Sequence, residues 1–154
     1  MKIYRSAVIA AALLMIGGLA VTAQAQKKAP PYKIEKVKIV PFDEASGEFE
    51  PEFVNGTDRT FFNDLSTSLF VTVIVEGEAG SFEVGRKLQI TVTEGKRVKY
   101  TKTEQVGLIG SGGRYHVPVW LYGSMCSDVK ITAKLMGQAK IQTVTRTVRF
   151  LCGE

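Results

Sequence analysis

From Tyr32 onward, apolar residues alternate with polar ones and show no 3.6-residue period, which is the pattern of half-buried strands. Tyr32 to Val40 is the first strand predicted. Leu69, Val71, Val73 and Val75 mark a second, with Phe70, Thr72 and Ile74 on its other side. Leu88, Ile90 and Val92 mark a third, and after the turn signal Glu94-Gly95 the mostly polar run Val98 to Val106 is a fourth. Tyr115, Val117, Val119 and Leu121 mark a fifth. Val129, Ile131, Ala133 and Leu135 mark a sixth, and Ile141 to Leu151, after Gly137-Gln138, a seventh. Thr and Val dominate these runs, as a pleated surface favours. No helix and no internal repeat are predicted here.

The pattern predicts an all-β chain, a single antiparallel seven-strand β-sandwich. Pro118 demotes the fifth strand to an edge or a bulge. Lys96, Arg97, Lys99 and Lys102 suit an edge guarded against strand addition. The segment 41–66, with Phe42, Phe49, Phe53, Phe61 and Phe62 among acids, reads as a long crossing connection with a short strand near Glu48 to Val54. The last hairpin centres on Ala139, with Cys126 and Cys152 symmetric about it. Its apolar faces then fall out of phase by one residue. A bulge between Ser127 and Asp128 or near Arg146 is therefore expected.

Strand number, spacing and the closing hairpin over residues 32–152 resemble the immunoglobulin-like and fibronectin-III-like sandwich superfamily. The chain departs from true immunoglobulin domains. It has no Cys on the second strand and no Trp on the third, Trp120 lies on the fifth, and Tyr122 precedes Cys126 by four residues. The resemblance implies a fold and a bias toward binding roles, and names no ligand.

Residues 1–25 have the form of a secretory signal peptide. Lys2 and Arg5 precede the uncharged run Ala7 to Val21, and Ala23-Gln24-Ala25 is a small-x-small cleavage pattern. A run of 15 residues spans about 22 Å as a helix, short of the ~30 Å hydrocarbon core. Cleavage after Ala25 leaves a short basic linker, 26–31, ahead of a domain over 32–154, with no membrane span in the mature chain. The expected location is the periplasm or the medium. In such an oxidising compartment Cys126 and Cys152 read as a disulfide, the rival being two free buried thiols. The bridge closes a loop of roughly 26 residues, worth about 3 kcal/mol on the chain-entropy model.

At 154 residues, 45% hydrophobic and 23% charged, the composition suits one globular domain and argues against disorder, collagen or a multi-pass membrane protein. One His and two Cys leave few parts for metal or nucleophile chemistry. Charge is unevenly placed. Residues 27–38 carry net +4, residues 41–83 net −9 and residues 84–154 net +8. Pairing with itself or with a charged surface is one consequence. Neutralisation within one fold and on solvated strand faces is the expected one.

The search for chemistry returns little. His116 lacks a nucleophile motif beside it and reads as a solvent-facing strand residue. Glu48, Glu50 and Glu52 alternate as paired carboxylates of a small hydrolase would, yet a solvated acidic loop suits them better. The run Gly107 to Gly113 lacks the Lys of a phosphate loop and reads as a flexible connection between sheets. Asn55-Gly56-Thr57 is a formal glycosylation sequon and equally a turn signal. No nucleic-acid motif is present, and no cofactor or metal is expected. The expected role is a non-enzymatic binding or structural module of the cell envelope, contacting a protein partner or a second copy. Its candidate surface is Arg114, His116, Trp120 and Tyr122. A carbohydrate-binding module using Trp120 and Tyr122 is the first alternative.

Overall fold

The computed structural model describes residues 31–54, 60–63, 66–123 and 125–152, with the backbone alone at 60–63 and 152. The signal-peptide and basic-tail readings over 1–30 and the Asn55 sequon lie outside the described residues. Among the described residues nine strands follow in chain order: β1 (Lys33–Asp43), β2 (Glu48–Phe49), β3 (Thr60–Asn63), β4 (Thr67–Glu76), β5 (Lys87–Glu94), β6 (Arg97–Gln105), β7 (Arg114–Leu121), β8 (Val129–Met136) and β9 (Gln142–Cys152). The seven expected strands are the seven long ones. The count is corrected by β2 and β3, which are too short to show a hydrophobic period and come from the 41–66 connection.

One sheet has the order β2-β1-β4-β7 and the other β3-β9-β8-β5-β6. Every pairing is antiparallel except β3 on β9, which is parallel. The inner faces of both sheets supply one core cluster, including Ile39, Val71 and Val73 from the first and Ile90, Ile131 and Phe150 from the second. This is the layout of a β-sandwich. Both edge expectations hold: β7, with Pro118 opposite Thr72, and basic β6 each end a sheet.

Near Arg146 the expected bulge is absent; Ser127 and Asp128, the other expected place, lie outside the ladder. Val129 pairs with Val148, and the register runs unbroken through Ile131–Arg146 to Leu135–Gln142. Pairing centres between Gln138 and Ala139, half a residue from the expected Ala139. That offset brings odd and even positions onto one face, as a bulge would have done.

Beyond the two residues paired with β2, β1 has no strand on its free side among the described residues, and side chains from the β8–β9 hairpin take that place. The Gln138 amide accepts from Tyr32 N (3.1 Å) and donates to Tyr32 O (2.9 Å). The Gln142 amide does the same for Ile34 (2.6 and 3.2 Å). Four residues further on, the Arg146 guanidinium donates to Val37 O (3.0 Å) and to Phe53 O (2.9 Å). Phe53 N in turn donates to Ile39 O (3.0 Å). These bonds satisfy an edge that would otherwise invite another strand, and they stitch the two sheets along one flank.

Gly137 turns the hairpin at φ 82°, and a Cβ there would collide with the Gly85 carbonyl. Gly137→Ala is expected to destabilise the protein by at least about 2 kcal/mol, read as a lowered urea midpoint. The connection 106–113 crosses between the sheets as expected, but it is pinned. Ile109 is fully buried, and its N–H donates to Ser81 O (3.0 Å).

Candidate aromatic site on the four-stranded sheet

Alternation along β7 sends Val117, Val119 and Leu121 into the core. His116, Pro118 and Trp120 lie on the outer face of the sheet. Across β4 the outward partners are Ile74, Thr72 and Phe70. Across β1, Val40 lies opposite Phe70, and Phe42 pairs with Phe49 of β2. Register thus gathers rings from four strands. The Trp120 centroid lies 5.3 Å from that of Phe70, 5.4 Å from Phe42, 5.9 Å from Phe49 and 5.6 Å from Tyr122. Edge and tilted contacts of this kind are worth about 0.5–1.5 kcal/mol per pair beyond their burial. Phe49 is 57% exposed and Tyr122 77%, so the cluster presents ring faces to solvent.

Trp120 and Tyr122 also line a pocket of about 130 Å³ at the flank between the β6 and β7 edges, with Tyr100 as a third ring. Val92, Leu121, Met125 and Val129 form its apolar part. Glu94 and Lys99, ion-paired at 2.7 Å, are its charged part. The Trp120 indole Nε1 is buried and has no hydrogen-bond partner among the described residues. A buried N–H of this kind favours an incoming acceptor.

Glu94 ties the pocket to the segment ahead of β8. Its Oε1 accepts from Cys126 N at 2.8 Å. Burial raises its pKa, but the Lys99 ammonium and the Cys126 and Ser127 amides outweigh burial and hold the carboxyl below its ordinary 4.5. A carboxylate depressed in the folded state contributes stability above its unfolded pKa and loses it as pH falls through the folded value. The stability gap between wild type and Glu94→Gln, read by urea unfolding, is therefore expected to be full at neutral pH. It should close as pH falls through the lowered folded value.

The four expected surface residues divide into two groups. Trp120 and Tyr122 come together; Arg114 and His116 lie toward the other end of β7, about 20 Å away for Arg114 at 3.4 Å per residue. Arg114 is engaged already. Its Nε and Nη2 donate to both Glu35 oxygens at 2.6 and 2.8 Å, and Arg114 in turn holds the Glu35 carboxyl below its usual range. Glu35 reaches it because a register shift between Ile34 and Lys36 in β1 leaves Glu35 out of the ladder. His116 is exposed, opposite Ile74. Among the acids weighed for hydrolysis, Glu48 is exposed and Glu52 is paired with Lys36 at 2.7 Å. Among the described residues no group of three or more His, Cys, Asp or Glu could hold a metal ion, and no helix is long and apolar enough to cross a membrane.

Sequence reasoning placed Phe70 on the face opposite the core positions of its strand and put Trp120 and Tyr122 on one candidate surface. It missed that Phe42, Phe49 and Phe70 complete the cluster. Their meeting depends on the registers of β1 with β2 and β4, which no local pattern encodes. No protein-family model matches the chain, and no curated protein matches it.

Proposed function

We propose that this protein is an exported, non-enzymatic binding module of the cell envelope, and that its aromatic cluster contacts a protein partner. The signal-peptide form of residues 1–25, cleaved after Ala25, supports export. In an oxidising compartment Cys126 pairs with Cys152. No described cysteine is free, and Cys126 lies three residues ahead of β8, the strand that pairs with the one Cys152 ends. An immunoglobulin-like or fibronectin-III-like assignment is supported by strand order. The first, second and fifth long strands share one sheet and the other four share the second.

The observation that carries the binding role is the cluster of Phe42, Phe49, Phe70, Trp120 and Tyr122 on a sheet face that no other element covers among the described residues. Aromatic anchors beside a desolvated pocket dominate protein interfaces. The pocket adds room for one side chain of the partner beside the Trp120 and Tyr122 rings. A second reading, a sugar ring stacked between Tyr100, Trp120 and Tyr122, is favoured by the Glu94–Lys99 pair in the same pocket.

A photo-crosslinking residue at position 122, and as a control at Thr103 on the other sheet, tests the role in envelope extract. One protein adduct formed from 122 but not from 103, and lost on Trp120→Ala, supports it. Adducts only to a second copy assign self-association. Displacement of the adduct by a neutral oligosaccharide favours the sugar reading. Equal adducts from both positions contradict the site.

A further inference from the structure

The outer face of the five-stranded sheet has a different chemistry, independent of the aromatic site. Alternation along β5, β6, β8 and β9 turns threonines outward. Thr101, Thr91, Thr132 and Thr145 stand side by side across four strands, with the last two hydroxyls 3.3 Å apart. Down the middle of this hydroxyl field runs a line of cations. Lys134 and Lys130 project outward from β8, Lys87 stands opposite Met136, and Arg149 lies two residues past Thr147, the partner of Lys130. From Lys87, opposite Met136, to Lys130 the line covers six residue steps along β8, about 20 Å, and Arg149 extends it.

None of these four cations is in an ion pair among the described residues. Among the described residues, opposite charges do meet within the fold as expected, Lys33 with Glu76 and Lys36 with Glu52, but no ion pair joins an acid of residues 41–83 to a base of residues 84–154. No outward position of β5, β6, β8 or β9 is acidic; Asp128 lies just ahead of β8, at the Arg149 end.

We infer that this face binds an anionic polysaccharide. A line of unpaired cations at strand spacing matches a chain with repeated carboxylates or sulfates, and flanking Thr hydroxyls and the Gln89 amide match sugar hydroxyls. The same four strands present no outward aromatic ring, so the stacking that single-stranded nucleic acid needs is missing. Few apolar side chains project there, so a lipid surface gains little from insertion.

The test uses the mature protein with dextran sulfate, polygalacturonate and neutral dextran as probes. The two anionic polymers bind and dextran does not, and affinity falls steeply with added salt. Lys130→Glu with Lys134→Glu is expected to weaken binding by at least about tenfold, whereas Lys38→Glu with Lys140→Glu, an equal change of net charge elsewhere, leaves it nearly unchanged. Circular dichroism and urea midpoints establish that both double variants are folded. Failure to bind either anionic polymer overturns the inference, as does equal weakening by the two double variants. Tighter binding to duplex DNA or to phosphatidylglycerol vesicles than to either polymer also overturns it. Trp120→Ala leaves polymer binding intact, which separates this face from the aromatic site.

Discussion

Replacing Arg146 by Met is expected to destabilise the protein by about 2–4 kcal/mol. The guanidinium donates to Val37 O and Phe53 O at once, joining β9 to β1 and to the segment that follows β2. Met keeps most of the aliphatic volume, so the loss isolates the two bonds that the guanidinium donates along this flank. A hydrogen bond from a charged donor contributes about 1.5–3 kcal/mol, part of which water recovers at a half-buried flank. Thr145→Ala, one residue away but outward, is the control and should shift the urea midpoint little. A guanidinium that bound only water would give the two variants the same midpoint.

Trp120→Ala is expected to weaken partner binding by about 2–4 kcal/mol, thirtyfold to a thousandfold, while the sandwich remains folded. Trp120 touches four other rings and lines the pocket, so truncation removes the centre of the cluster rather than its rim. Its neighbours in β7, Val119 and Leu121, keep the core contacts. Tyr122→Ala, at a position 77% exposed, separates binding from stability. It should weaken the complex without moving the urea midpoint. Equal complex affinity for both variants and wild type would remove the aromatic cluster from the interface.

The seven long strands were legible because Val, Ile and Thr alternate through them, and Pro118 and the Lys-rich run after Gly95 identified both edges. What was not legible is non-local. The half-residue offset of the last hairpin follows from how Gly137 and its neighbours turn, and a symmetric reading about Ala139 cannot see it. Arg114 seemed free because its partner Glu35 lies 79 residues earlier, on a shifted position of β1. Gln138, Gln142 and Arg146 carry no motif, yet their spacing along the hairpin places three side chains on one backbone edge. At the candidate site, the Trp120–Tyr122 half was readable from one strand, and the Phe42–Phe49–Phe70 half required the registers.

Trp120 is the chain's only tryptophan, so its emission reports on the site without any label. The most direct measurement is acrylamide quenching of that emission, with and without the protein captured from position 122. Docking on the aromatic cluster predicts a blue shift and reduced quenching when the complex forms. A complex that leaves Trp120 emission and quenching unchanged would mean that the partner docks elsewhere, and the account of this face would be wrong.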